Sequence, residues 1–285
     1  MSPQLLALLT AIAYAGCFVA TRRGLVYSTP LTAAYVAVTV NTVVLWALVL
    51  ISRGIPEVPW LPVCLFIVAG LLQLGTRLCA YTGVAHLGAS ITSTIQATNP
   101  LIGTALAVVW LGESVTPAIL LGTAAVVFGV VSISWRPARH QRYRWWYLLF
   151  PLGAAFTAGL NHPLRRYAML WANEPLFFAA VMGAAALVPM FIYMINKRAR
   201  RAIVLHPRAI PYFAATGIFE AVGIWILITA LSTGRVVIVA PMVATAPLWV
   251  LLGTLIFSRD IERVNLRTTL AAVSVVTGIA VILIV

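Results

Sequence analysis

GCFVATRR at residues 16–23 and GLNHPLRR at residues 159–166 follow one pattern: a glycine, five mixed residues, then two arginines. Working outward from this pair, Pro30, Pro100, Glu113 and Gly129 recur in order as Pro175, Pro247, Glu262 and Gly278. The sixteen-residue step from Glu113 to Gly129 equals that from Glu262 to Gly278, and the other spacings differ by at most two residues. The chain is therefore a duplication, with copies at 1–136 and 146–285 and a basic linker at 137–145.

Each copy carries an odd number of long apolar segments. They lie at about 3–22, 30–52, 60–84, 88–111, 115–135, 146–168, 175–196, 210–231, 236–257 and 265–285, each close to the roughly 20 residues a helix needs to cross the hydrocarbon core. Five crossings in the first copy deliver the second to the opposite face of the bilayer. The expected fold is an all-α membrane protein of ten transmembrane helices, arranged as two inverted five-helix repeats. That architecture is typical of secondary transporters, whose substrate site lies near the midplane between the repeats.

Composition agrees. The chain is 62% hydrophobic and 9% charged, far from the soluble average, and the apolar segments lack the polar outer faces of a soluble bundle. No basic leader or small-residue cleavage site precedes the first segment, so it is expected to stay as span one. Cys17, Cys64 and Cys79 fall within spans without metal-ligand spacing and read as small core residues.

The net charge of +13 is one-sided. Loops after spans one, five, seven and nine hold fourteen Lys and Arg, against four on the other face, counted as Arg53, Arg165, Arg166 and Arg235. Basic loops stay in the cytoplasm, which places both termini outside and the protein in the cell inner (plasma) membrane. The runs at 136–144 and 197–208 face anionic headgroups, and Trp145-Trp146-Tyr147 reads as an interfacial anchor. Nucleic acid is not needed to explain the charge. Nothing in the sequence fixes the oligomeric state beyond a monomer or weak homodimer.

The fourth span of each copy contains a proline, in Thr98-Asn99-Pro100 and Thr245-Ala246-Pro247. Proline removes a donor and frees the carbonyl one turn earlier, so Pro100 and Pro247 are candidate helix breaks with a gating role. The run from Ala80 to Pro100, then Trp110-Leu111-Gly112-Glu113-Ser114, then Gly122 and Gly129, resembles the second half of an EamA repeat of the drug/metabolite transporter superfamily. In the second copy Ser258-Arg259-Asp260-Ile261-Glu262 replaces the tight turn, and Ala271 stands where Gly122 would be repeated. The resemblance covers the whole chain and implies ten helices that export or exchange small metabolites by alternating access. It also implies that the fifth and tenth helices pack outside the cavity. Glu113 is expected to cap the start of the fifth helix, and Gly122 and Gly129 to let helices approach closely.

Two ionisable side chains read as deep in hydrocarbon: Arg77 on span three and Glu220 on span eight. An unpaired charge there costs at least ~2.5 kcal/mol, so both should meet a partner or cavity water. The repeat alignment sets Glu220 opposite Gln73, one helical turn from Arg77, within reach across a shared cavity. Either Arg77 holds a substrate acid group while Glu220 holds an amine or a coupling proton, or the two form a permanent ion pair.

Gln73, Arg77 and Tyr81 form one stripe on span three; Thr92, Gln96 and Asn99 form another on span four. They face inward, to bind substrate or to bond across helices. Span six offers Asn161-His162-Pro163, where His162 is a candidate proton acceptor or ligand contact. Tyr35, Thr39, Thr42 and Trp46 on span two and Trp225 on span eight are either substrate-stacking aromatics and their neighbours or core. His86, His140 and His206 are placed in loops.

No metal cluster, nucleotide loop or nucleophile motif is found, so no cofactor, metal or catalytic residue is expected. The reading is a secondary transporter for a small polar or zwitterionic metabolite such as an amino acid. A carrier for a lipid-linked sugar or choline-like headgroup, an intramembrane enzyme using Glu220, His162 and Arg77, and a non-transporting scaffold remain alternatives.

Overall fold

The computed structural model describes residues 1–52, 54–87, 89–134, 144–196, 203–257 and 266–284. These hold twelve α-helices: α1 (Pro3–Gly24), α2 (Pro30–Ser52), α3 (Trp60–Leu87), α4 (Ala89–Gln96), α5 (Asn99–Leu111), α6 (Pro117–Ser134), α7 (Leu149–Met169), α8 (Pro175–Ile195), α9 (Ile210–Thr233), α10 (Val236–Val243), α11 (Ala246–Phe257) and α12 (Leu266–Leu283), with a 3-10 turn at Trp145–Leu148. Among the described residues there is no strand. Within the described residues six helical stretches are long and apolar enough to cross a membrane, and three shorter apolar ones lie at Pro117–Ser132, Val236–Val250 and Leu270–Leu283. The chain is a helical membrane protein.

Helix starts are written in proline: Pro30, Pro117 and Pro175 open α2, α6 and α8, where φ is preset and the missing N–H would have had no partner. The Ser2 hydroxyl accepts from Leu5 N at 3.4 Å to cap α1, and α5 closes on Gly112 at φ 63°, a left-handed position that favours glycine. Inside the helices Thr10, Thr42, Thr76, Thr157 and Thr216 donate their hydroxyls to a carbonyl four residues back. Lipid offers no other partner, so these bonds satisfy groups that would otherwise be costly.

The two proline breaks have the same construction. Segments four and nine divide into α4–α5 and α10–α11, with the turn at residues 97–98 and 244–245. Thr98 donates its hydroxyl to the Ile95 carbonyl at 2.7 Å, and Thr245 donates to the Met242 carbonyl at the same 2.7 Å. The proline itself sits just after each break, in the first turn of α5 and α11. At Pro100 the freed carbonyl is that of Gln96, and the Asn99 side chain fills it, donating Nδ2 at 2.9 Å.

Packing pairs come in repeat-related sets. The α1–α9 contact has its counterpart in α7–α3, α2–α9 in α8–α3, and the α1 contacts with α10 and α11 in those of α7 with α4 and α5. The self-equivalent pairs α2–α8 and α6–α12 also form. In α6–α12 a Cβ at Gly122 would lie 2.8 Å from the Gly278 carbonyl, and one at Gly129 would lie 2.7 Å from the Ala271 carbonyl. Early residues of one helix thus meet late residues of the other, so the last helices of the two halves run antiparallel at backbone contact.

Connections sort onto two ends. At one, Glu113 accepts from the amides of Val236 and Val237 at 2.9 and 3.0 Å, and Arg166 donates to the Leu231 and Ser232 carbonyls. Glu113 therefore caps α10 of the other half, not the helix that follows it, which starts only at Pro117. At the other end Tyr27 stacks on His206 and His86 on Tyr147, and the Arg144 guanidinium lies 3.9 Å over the Trp146 ring. His86 is in the last turn of α3, not in a loop. Residues 137–143 of the linker at 137–145, residues 197–202 of the basic run at 197–208, and Glu262 lie outside the described residues.

Candidate substrate cleft between the halves

One narrow cleft opens between α2, α3, α8 and α9. Its lining is organised by the repeat. Val38 and Gly183 each stand eight residues after the proline that opens their helix, and Asn41 and Ala186 each stand eleven after it. Gln73 faces its mate Glu220, and Arg77 and Ile224 each follow four residues later. All eight line the cleft, with Leu74 and Met182. The cleft is therefore lined by corresponding positions of the two copies, and the polar side chains are supplied unequally: Asn41 against Ala186, Arg77 against Ile224.

Arg77 pairs with Glu220 through Nη2 and Oε1, joining α3 to α9 across the cleft. Glu220 is buried and the Arg77 side chain is 20% exposed, so the pair closes the cleft at its arginine end. What stays open between the side chains is about the volume of one water molecule. Space of that size is too small for a metabolite in this conformation.

Behind Gln73 lies a second polar layer on α7. Asn161 donates to the Ala69 carbonyl at 3.2 Å and to Gln73 Oε1 at 3.5 Å, and Arg165 Nη2 donates to the same Gln73 oxygen at 3.0 Å. Arg165 is only 3% exposed. Its place among the loop charges of the sequence is not where the fold puts it: beside Arg77 and Glu220, Arg165 is a third deep ionisable group. The signal was present, because segment 146–168 contains Arg165 and apolar residues continue to Leu170, carrying α7 on to Met169. Its repeat mate Arg22 is exposed, so identical sequence serves different ends in the two halves. Tyr14 on α1 and His162 lie within electrostatic reach of Arg165.

The remaining expected site residues divide. His162 is buried beside Arg165 on α7, its Nδ1 without a partner. Thr92 packs against Gly83, away from the cleft; the Gln96 carbonyl and the Asn99 side chain bond each other at the helix break. Tyr35 meets Phe191 edge-on at 5.9 Å outside the lining. Trp225 is 38% exposed on the outer face of α9, the direction lipid would occupy. Tyr81 belongs to α3, and its side chain lies outside the described residues. Asn41 lies off the span-two stripe of Tyr35, Thr39, Thr42 and Trp46 and lines the cleft, while Thr42 packs on Gly183.

Comparison with known proteins is consistent with this geometry. A crystal structure of a protein 16% identical in sequence superposes with a TM-score of 0.82, covering 98% of this chain and 95% of that one; at that identity the likeness concerns the fold. No curated protein sequence matches the chain. The family model of EamA-like transporters matches twice, at residues 1–135 and 144–284. Covered almost end to end by two copies of that model, the chain belongs to the EamA-like transporter family of the drug/metabolite transporter superfamily.

Proposed function

We propose that the chain is a secondary transporter that carries a small polar or zwitterionic metabolite, such as an amino acid, across the inner membrane by alternating access, as an exporter or exchanger. It does so as ten spans in two inverted repeats, 1–136 and 146–285, with both termini outside. The observation that carries this reading is the cleft lined by repeat-related positions and closed by the Arg77–Glu220 pair. Packing that maps onto itself when the halves are exchanged supports the inverted repeat.

The mechanism follows from competition for the pair. A substrate amine or a proton competes with Arg77 for the Glu220 carboxylate and parts the pair. The halves then rock about the cleft, while the glycine-packed α6–α12 pair stays outside it. The two helix breaks at 97–98 and 244–245 let α4–α5 and α10–α11 bend as half-helices.

Reconstitution in proteoliposomes with counterflow of labelled amino acids and related metabolites tests the proposal. Exchange of at least one solute is expected, lost in Arg77→Gln. Absence of exchange across the panel, by protein that is folded, would overturn it. Unchanged transport and unchanged pH dependence in Glu220→Gln would remove the coupling-proton role.

A further inference from the structure

The central polar layer holds two guanidiniums and one carboxylate. Glu220 is engaged by Arg77, and among the described residues no carboxylate pairs with Arg165. Arg165 is almost wholly buried, its Nη2 meets a neutral amide oxygen of Gln73 at 3.0 Å, and its Nε has no partner. Water is not a free substitute at such burial, and an uncompensated buried charge is held only where something is to neutralise it.

The surroundings describe that something. The unpartnered buried atoms nearby on α7 are Asn161 Oδ1, an acceptor, and His162 Nδ1; Asn41 Oδ1 on the cleft wall is a further unpartnered acceptor. Gln73 lines the cleft and covers Arg165 at once. Its oxygen is a neutral occupant that an anionic oxygen displaces, since charge-assisted bonds are roughly twice as strong as neutral ones.

We infer that Arg165 is the anion-binding residue of the cleft, taking the carboxylate or phosphate of the transported molecule in place of Gln73, while the Asn161 and Asn41 carbonyl oxygens accept from its hydroxyl or amine donors. This rests on the transport reading for the ligand's route and narrows its cargo to anions and zwitterions. Arg77 then opens and closes the cleft through Glu220, and Arg165 selects.

The test uses the full chain in detergent and thermal unfolding with matched probes at constant ionic strength. The pairs are glycine against glycinamide, L-leucine against L-leucinamide, and glycerol 3-phosphate against glycerol, each up to about 10 mM, enough to reveal millimolar binding. At least one acid member is expected to raise the midpoint where its uncharged-acid partner does not. Arg165→Gln should raise the Kd read from the concentration dependence of that response by about tenfold or more, and Arg165→Lys should restore part of the affinity.

Equal response to acid and amide, no response to any acid or to phosphatidylglycerol, or an undiminished response in Arg165→Gln would each overturn the inference. A merely structural arginine would lower the ligand-free midpoint and leave the acid preference intact. If Arg165→Gln does not fold, the acid-over-amide preference of the wild type and the Arg165→Lys response still decide. Repeating the measurement in phosphatidylcholine nanodiscs with and without phosphatidylglycerol separates sources: a response to the lipid alone, lost in Arg165→Gln, keeps the anion site and assigns it to a headgroup. Acid binding through Arg165 without counterflow would leave the site and remove transport; counterflow of a neutral or cationic solute alone would do the reverse.

Discussion

Replacing Glu113 should destabilise the protein through a helix in its other half. The carboxylate sits in the turn between α5 and α6, and its two oxygens accept from the Val236 and Val237 amides at 2.9 and 3.0 Å. Those amides open α10, where no intrahelical carbonyl is available to them. Both valines are wholly buried. A hydrogen bond to a charged group contributes about 1.5–3 kcal/mol, and a buried donor left unmade costs about 1–3 kcal/mol. Because Glu113→Ala removes both bonds together, an overall loss of about 3 kcal/mol is expected. Glu113→Gln keeps one oxygen acceptor but turns an NH2 toward the other amide, and should lose about half as much. Equilibrium unfolding in mixed micelles with increasing SDS, followed by tryptophan fluorescence, reads these values. If Glu113→Ala fell within about 0.5 kcal/mol of wild type, the range of an inert surface change, the cross-half cap would have no energetic weight. The same conclusion would follow if the glutamine variant equalled the wild type, since the cap is argued to act through both oxygens.

Other expectations concern the cleft and the packing around it. Glu220→Gln should cost about 3 kcal/mol by stranding Arg77, and the Arg77→Gln/Glu220→Gln double variant should cost less than the sum, with a coupling above about 1 kcal/mol; additive costs would deny the pair. Gly122→Ala puts a methyl 2.6 Å from Ile282 and 2.8 Å from the Gly278 carbonyl, so a loss of about 1–3 kcal/mol is expected from overpacking. Gly75→Ala meets nothing within 4 Å and should instead be neutral or gain up to about 1 kcal/mol of helix stability, which thermal midpoints of the two variants would compare directly. Trp225→Ala, on the outer face, should leave counterflow unchanged; a loss of exchange with normal folding would place Trp225 in the route.

Much of this architecture is legible in the chain because apolar length and proline position are local signals. Pro30, Pro117 and Pro175 announce helix starts, and the Thr98 and Thr245 breaks could be anticipated from Pro100 and Pro247, since a missing N–H disrupts the helix wherever the chain goes afterwards. The closeness of Arg77 and Glu220 was also foreseeable, because equivalent helices of opposite direction bring equivalent positions to one depth. The polar stripe on span four and the aromatic Trp225 on span eight lie apart from the cleft lining. A polar stripe shows that a side chain needs a partner, not which partner it finds: Asn99 bonds the Gln96 carbonyl in its own helix break, Thr92 packs on Gly83, and Trp225 faces outward.

By itself, then, the sequence determined a duplicated, almost wholly apolar helical chain with paired breaks and a pair of opposite charges on equivalent helices. Hydrophobic length, proline chemistry and repeat spacing act within one segment or between aligned copies. Only the tertiary structure decided that Glu113 caps α10 across the halves, that Asn41 lines the cleft, and that Arg165 lies buried while its mate Arg22 is exposed. Those outcomes depend on which helices lie side by side. The same arginine pair ends α1 and approaches the end of α7, and burial is set by the neighbours that close over it, which no single copy of the motif records.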